Sequence, residues 1–387
     1  MTRRLVILTE IISPYRIPLF NELARCAGIA LHVIFLAETD PELRQWKVYK
    51  DEIQFSYEVL PSWRARFAGN SVLLNRGVGS ALAAAAPDAI VCGGYNYLAS
   101  WQALAWARDH GTAFLLWSES HTRGSSRPRR VVEFLKEKFL HKCSGFVVPG
   151  NAAREYLREH GIKDEIIFTA RNAVDNDFFS AGAAEARKNA AMLREKFNLP
   201  ERYFLFAGRL VREKGVFELL SAYAKLSEPV RRQLGLVFAG DGAAREELQQ
   251  QAAIPRSSGV IRFAGFAHRE ELATYYALAE MLILPTYSDT WGLVVNEAMA
   301  CGLPVILSSA AGCAVDLVKE GWNGLLIPPR DGTLLTTAMD TLARQSELRA
   351  TMGTNSAQHI SLYSPAEWAR GIAQAIGTAI GPKGAGA

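Results

Sequence analysis

Short apolar runs recur along this 387-residue chain, and most are followed by a stretch whose apolar residues repeat with helical spacing. In the first half, Leu5–Leu8, Leu31–Leu36, Ala89–Val91, Ala113–Trp117, Gly145–Val148 and Glu165–Phe168 read as buried strands. Pro18–Arg25, Tyr97–Asp109 and Ala152–His160 read as amphipathic helices between them. The second half repeats the rhythm with Tyr203–Ala207, Leu236–Ala239, Val260–Phe263, Met281–Leu284, Val305–Leu307 and Gly324–Ile327. Strands joined by helix-length crossovers pair in parallel and are covered on both faces. Two such sets in one chain predict an α/β protein of two Rossmann-like, doubly wound domains.

The spacing places a first domain at residues 1–180 and a second at 200–362. Asn172–Asp175 reads as a loop and the Ala/Lys/Arg-rich Ala183–Lys196 as a linking helix. A last helix over 363–387, with Ser364 as N-cap and Pro365 in its first turn, is expected to pack back on the first domain. Met1-Thr2-Arg3-Arg4 followed by Leu5–Leu8 imitates a signal peptide, but Glu10 interrupts it and no small-residue cleavage site follows. No apolar run approaches the ~20 residues needed to span a bilayer. Cys26, Cys92, Cys143, Cys301 and Cys313 are dispersed and form no CxxC pair, which argues against a disulfide framework and for a reducing cytosol. A net charge of +4 is too small an excess to point to nucleic acid.

Chemistry concentrates in the second half. Asp289 follows the run Met281–Pro285, and Glu297 lies eight positions on, about two turns inside the helix expected before Val305–Leu307. Trp291-Gly292-Leu293 between them opens that helix and offers backbone N–H groups, where an anion is favoured. Gly208-Arg209-Leu210-Val211-Arg212-Glu213-Lys214-Gly215 leaves one strand and enters another helix, with two cations in a glycine-flanked turn. Arg209 can clamp two phosphate oxygens and Lys214 adds a compact charge. Both loops fall at the carboxyl edge of the same sheet, where open α/β sheets bind ligands. Carboxylates for sugar hydroxyls around a phosphate site describe a sugar-nucleotide pocket.

These segments resemble the large retaining glycosyltransferase family numbered 4, which has the GT-B fold. The resemblance is carried by GRLVREKG (208–215), FAGDG (238–242) and the acidic pair with its AMACGLPVI continuation (298–306). NAVD (172–175) and PYRIPLF (14–20) extend it into the first half. It implies two domains facing each other across a cleft, a UDP- or GDP-sugar donor and no required cofactor. Arg209 and Lys214 would bind the diphosphate, with Gly208 in the same turn, and Glu297 would take the ribose hydroxyls. Asp289 would hold the transferred sugar, N–H groups by Trp291, Gly292 and Leu293 would meet the distal phosphate, and Gly265-Phe266 would lie beside the base. Asp289 stands where the family usually has Glu, one methylene longer. Ile12-Ser13-Pro14-Tyr15-Arg16 replaces the glycine-rich loop many members use, so Arg16 would serve either the diphosphate or the acceptor.

As diphosphate leaves, charge develops on it that a cationic clamp and a helix N-terminus can stabilise without metal. Asp175-Asn176-Asp177 is of the Asp-x-Asp type that metal-dependent transferases use, but its place in a loop favours a structural turn. In the first domain Ala113–Trp117 ends at Ser118-Glu119-Ser120-His121; the resemblance aligns Glu119 with a cleft-facing His, and either Glu119 or His121 would position or deprotonate the acceptor hydroxyl. Gly93-Gly94-Tyr95 would line the acceptor site. Arg123, Arg127, Arg129, Arg130, Lys136, Lys138 and Lys142 interleave with Val131, Val132, Phe134, Leu135, Phe139 and Leu140, and Trp63–Phe67 repeats the mixture. Such a stretch suits an anionic inner membrane leaflet and a lipid-linked acceptor of envelope or exopolysaccharide synthesis, and equally a helix with one solvated face. Two rivals stand beside the transferase: another two-domain enzyme such as a nucleotide-sugar epimerase or glycan phosphorylase, and a nicotinamide-dependent oxidoreductase. For the latter Gly240-Asp241-Gly242 is a weak match, with Arg245 at the third glycine.

Overall fold

The computed structural model describes residues 2–40, 46–67, 70–121, 130–253 and 259–381. They form two compact units. One takes in described residues up to Val174 together with the last helix from Pro365; the other spans Asp175–Ser364.

In the first unit the strands are β1 (Arg3–Thr9), β2 (Ile29–Phe35), β3 (Ser56–Val59), β4 (Ser62–Phe67), β5 (Asn70–Asn75), β6 (Ala89–Cys92), β7 (Ala113–Trp117), β8 (Gly145–Val148) and β9 (Ile167–Thr169). Seven of them form a parallel sheet in the order β3-β2-β1-β6-β7-β8-β9, and β4 and β5 make a separate antiparallel pair. Alternate residues of each strand enter different cores, as a period of two requires. Val6, Leu8, Ile34, Ile90, Phe114 and Phe146 share one cluster with the helices Leu98–Asp109 and Arg130–Leu140. Leu5, Ile7, Val33, Ala89, Leu115 and Trp117 share the other with the helices Ile17–Arg25 and Pro365–Ile380. Trp368 anchors that last helix, with its ring 5.7 Å from Phe20 and 5.3 Å from Trp117.

The second unit contains β10 (Tyr203–Ala207), β11 (Gly235–Ala239), β12 (Ile261–Gly265), β13 (Met281–Leu284), β14 (Val305–Ser308) and β15 (Gly324–Ile327). Their order, β12-β11-β10-β13-β14-β15, reverses direction between β10 and β13. The first sheet reverses in the same way between β1 and β6. Both sheets are therefore doubly wound, and each has a topological switch point at that reversal, the place where open α/β sheets generally take ligands. No helix among the described residues is long and apolar enough to cross a membrane.

Four details differ from the sequence reading. The region expected as one linking helix over 183–196 is two helices, Asn176–Lys188 and Ala190–Lys196. The first of these packs on the helices Arg269–Leu278 and Leu293–Ala300, so it is part of the second unit's wall, and Arg187 fastens it by donating to the Ala277 and Cys301 carbonyls. Asp175 begins it as N-cap, its carboxylate accepting from Phe178 N at 3.0 Å; the Asp-x-Asp is thus engaged in helix initiation. The strand expected at Glu165–Phe168 is a 3-10 turn, Asp164–Ile166, followed by the three residues of β9, because Asp164 and Glu165 favour the turn. Finally β3, β4 and β5 lie outside the strands expected from the sequence, although β5 carries the short apolar run Val72-Leu73-Leu74.

Glycines lace the loops of the second sheet together. A Cβ on Gly240 would lie 1.9 Å from the Gly208 carbonyl oxygen, and Gly240 has φ +148°. A Cβ on Gly242 would lie 2.5 Å from the Leu210 oxygen. The Gly-Asp-Gly that weakly suggested a nicotinamide loop is used for close approach of one backbone to another. Gly240→Ala is expected to destabilise the protein by roughly 2–4 kcal/mol, read from denaturant midpoints. A shift within a few tenths of the wild type would show that the loop relaxes freely.

Candidate functional site

After β10 the chain turns through Gly208, Arg209 and Leu210 into the 3-10 turn Arg212–Lys214 and then the helix Val216–Lys225. Leu210 is fully buried, and its N–H donates to the Asp241 carbonyl at 2.9 Å. That anchor leaves Arg209 exposed, and among the described residues it forms no ion pair. Gly215 sits at φ +69°, where a Cβ would lie 2.1 Å from the Pro285 carbonyl oxygen. Only glycine allows the loop after β10 to close so tightly on the loop after β13. The Glu213 carbonyl accepts from Thr286 Oγ1 at 2.9 Å and from Tyr287 N at 2.8 Å, which completes the seam.

The seam brings Lys214 and Asp289 into direct contact at the switch point, ammonium on carboxylate. Their side chains are only 14% and 15% exposed, so the pair is shielded from solvent screening. Asp289 is held from behind, its carbonyl accepting from Gly312 N at 2.9 Å. Gly292, at φ +100°, caps the helix Leu293–Ala300. Trp291 is turned into the core instead: it is 2% exposed, and its indole donates to Asn296 Oδ1 at 2.8 Å. Its backbone N–H points back to Asp289 Oδ1 at 3.4 Å. The N–H groups at this helix entrance that stay clear of that bond are those of Gly292 and Leu293.

Glu297 is the fifth residue of the helix, just over one turn inside it rather than two, because the helix starts only after Gly292. Its Oε2 accepts the Tyr276 hydroxyl at 2.7 Å, and burial pushes its carboxyl up to about 7. Burial likewise raises Tyr276 well above the ordinary tyrosine value, so it stays a donor. Tyr276 had no signal in the sequence, lying 21 positions before Glu297 on another helix. Gly265 ends β12 at φ +80°, and the exposed Phe266 ring stands edge-on to His268. Thus Lys214 and Asp289 touch, Glu297 belongs to a separate pair with Tyr276, and Arg209 stands exposed on the same loop as Lys214.

The first unit has its own polar network at the carboxyl ends of its strands. Arg16 Nη2 donates to Glu119 Oε1 at 2.5 Å and Nη1 to Asn172 Oδ1 at 2.8 Å. Asn172 Nδ2 reaches the same Glu119 oxygen at 3.3 Å. The guanidinium lies 4.1 Å over the Trp117 ring, a fixed plane on which a cation is attracted. Glu119 is therefore bonded to both Arg16 and Asn172. His121 is buried at the end of the same strand segment. Gly93 packs against Thr9, a Cβ there lying 3.2 Å from Thr9 Oγ1, while Gly94 has φ +103°. Burial raises the pKa of Tyr95, whose ring lies 5.9 Å from Phe139. Asn172 was legible only as part of the NAVD string, since Arg16 and Glu119 lie 156 and 53 positions away.

Comparison with known proteins supplies the identity. The profile described as "Glycosyl transferases group 1" matches residues 187–359, and "Glycosyltransferase Family 4" matches 19–178. A D-inositol 3-phosphate glycosyltransferase of Corynebacterium jeikeium is 26% identical over 320 residues, 80% of this chain and 75% of that protein. A GDP-mannose-dependent alpha-mannosyltransferase of Corynebacterium glutamicum is 34% identical over 193 residues, 49% of this chain but only 42% of the relative. The Anabaena protein HepE, solved in complex with UDP and glucose, superposes with a TM-score of 0.71 at 18% identity, covering 96% of this chain and 98% of its own. Two profiles that together take in most of both units, on two doubly wound sheets, mean that this chain belongs to the family 4 retaining glycosyltransferases, with the GT-B fold.

Proposed function

We propose that the enzyme transfers a sugar from a UDP- or GDP-sugar to an acceptor hydroxyl with retention, on a lipid-linked or cell-envelope glycan at the inner face of a membrane. The observation that carries this reading is the shielded Lys214–Asp289 pair at the β10/β13 switch point. Lys214 stands between two demands: it balances Asp289 in the resting enzyme and meets the diphosphate when the donor arrives. Arg209, exposed on the same loop beside Gly208, adds a guanidinium for the second phosphate face. The N–H groups of Gly292 and Leu293 favour the distal phosphate at the helix entrance. As the glycosidic bond lengthens, negative charge moves onto the diphosphate, and these groups stabilise it where it develops, with no metal required.

Asp289, freed from part of its ion pair, accepts hydroxyls of the transferred sugar. Glu297, oriented by Tyr276, accepts the ribose hydroxyls, and Phe266 after Gly265 offers a ring to the base. In the first unit Arg16, Glu119, His121, Gly93, Gly94 and Tyr95 serve the acceptor. Glu119 uses one oxygen for Arg16 and Asn172, which leaves the other to orient an acceptor hydroxyl. Relatives named for inositol 3-phosphate and for GDP-mannose support a polar acceptor and make GDP as good a donor base to test as UDP.

Titration calorimetry with UDP and with GDP tests the donor site. One of them is expected to bind with a 1:1 stoichiometry that Arg209→Ala weakens at least tenfold. Folded protein that binds neither would overturn the reading.

A further inference from the structure

We propose that the hairpin β4–β5 and the neighbouring helix Arg130–Leu140 form a docking surface for an anionic lipid bilayer. This deepens the membrane-proximal acceptor in the reading above and rests on it. The hairpin is inside out by the usual rule. Its register sets Trp63 opposite Leu74 and Ala65 opposite Val72, so Trp63, Leu74 and Val72 share one face. Arg64 and Leu73 pair on the other. The face carrying the arginine is the one turned inward: Leu73 is buried, and Arg64 Nη1 donates to the buried Asp40 at 2.6 Å. The apolar face is turned outward, with Trp63 64% exposed. A half-solvated sheet ordinarily shows the opposite alternation.

The elements beside the hairpin continue the pattern. The helix Leu98–Asp109 packs on β5, and its Trp101 ring stands 4.8 Å from Phe139 of the helix Arg130–Leu140. Leu98, Phe134 and Leu135 are exposed on these two helices. Among the described residues of the first unit, every exposed large apolar side chain lies on the hairpin or on these helices. Clustering of this kind marks an interaction surface where scattered apolar residues would not.

Charge identifies the occupant. Lys138 holds its ammonium 5.4 Å over the Phe134 ring, and Lys142 follows at the exposed end of the helix. Glu137 is exposed among them, while Glu133 is taken up by the buried Lys136. An outward tryptophan, aliphatic side chains and lysines on flexible stems match the interfacial layer of a bilayer with anionic headgroups. Arg123, Arg127 and Arg129 of the basic run lie outside the described residues, and the surface is defined without them.

Co-sedimentation with phosphatidylcholine vesicles, with and without a minor fraction of phosphatidylglycerol, tests this on the full chain. Wild type is expected to bind the anionic vesicles, less so as salt is raised, and not the neutral ones. Trp63→Ala with Val72→Ser, and separately Lys138→Glu with Lys142→Glu, should each weaken partitioning by about tenfold. Calorimetry with UDP and GDP on the same variants should be unchanged. Absent vesicle binding, or binding that both double variants retain, overturns the surface. So does a wild-type dimer in light scattering that the Trp63→Ala and Val72→Ser variant dissolves, since the face would then cover a second copy. Nucleotide binding without vesicle binding sinks this inference alone, whereas the reverse sinks the donor-site reading and spares the surface.

Discussion

Lys214→Ala is expected to lower kcat/KM for sugar transfer by about 10²–10³, and Arg209→Ala by a similar factor, because in the proposed mechanism each removes a charge that meets the leaving diphosphate. The two should part company in stability. Lys214 is a partner of a carboxylate that is only 15% exposed, so its loss removes the facing cation from Asp289 in a poorly solvated place. A cost of about 1–3 kcal/mol follows. Arg209 is exposed, and its removal should leave the denaturation midpoint where it was. Initial rates measured as nucleoside diphosphate release, alongside urea titrations, separate the two effects. Equal stability losses would mean that the Lys214–Asp289 pair does not set the difference, and an Arg209→Ala enzyme at full activity would mean that Arg209 does not meet the donor.

Donor binding should strengthen as pH rises through about 7, and Glu297→Gln should abolish that dependence while weakening affinity by about 10–100-fold. Burial raises the Glu297 carboxyl to about 7 from the usual 4.5, so near neutrality it is only partly ionised. Ribose hydroxyls donate best to the carboxylate, and donor binding must therefore displace a proton at low pH. The stability consequence has a definite sign. A raised value means the folded protein holds the proton more tightly than the unfolded chain, so this residue's relative contribution is fullest below about 4.5. It is lost as pH climbs through about 7. Glu297→Gln removes the titration and should leave the variant more stable than wild type above neutral pH, on the order of 1–3 kcal/mol, with the gap closing toward pH 4.5. Calorimetry with the bound nucleoside diphosphate across this range, and denaturation on the same samples, read both effects. A pH-independent wild-type affinity would place Glu297 away from the ribose.

Glu297 also illustrates how far the sequence reaches. Its distance from Asp289 in the chain and the helix that carries it were plain from Trp291-Gly292-Leu293 and the apolar runs on either side. Its chemistry was not, because the burial that raises its pKa and the Tyr276 hydroxyl that partly offsets the rise both depend on packing against other elements. Lys214 and Asp289 could be assigned to one sheet edge by strand counting. That they touch depends on Gly215 and Glu213 closing one loop on the other, a matter of ångströms that periodicity does not encode. Trp291 read as part of the pocket by its position, yet its large apolar ring gains more by burial against the core, where Asn296 satisfies its N–H.

The alternation of apolar runs and amphipathic helices determined two doubly wound sheets, since each strand and crossover is a local pattern with its own period. The glycine-flanked cations and the acidic pair mark the second sheet as the proposed nucleotide-sugar side, because phosphate and hydroxyl recognition demand those residue types near a strand's carboxyl end. Only tertiary structure decided the pairings: Arg16 with Glu119 and Asn172, Lys214 with Asp289, Glu297 with Tyr276, and Trp368 against Trp117. It also decided which face of the hairpin β4–β5 looks outward. Hydrogen bonds and ion pairs act over about 3 Å. Chain distances of tens to hundreds of residues reach that range only when long-range packing brings them together.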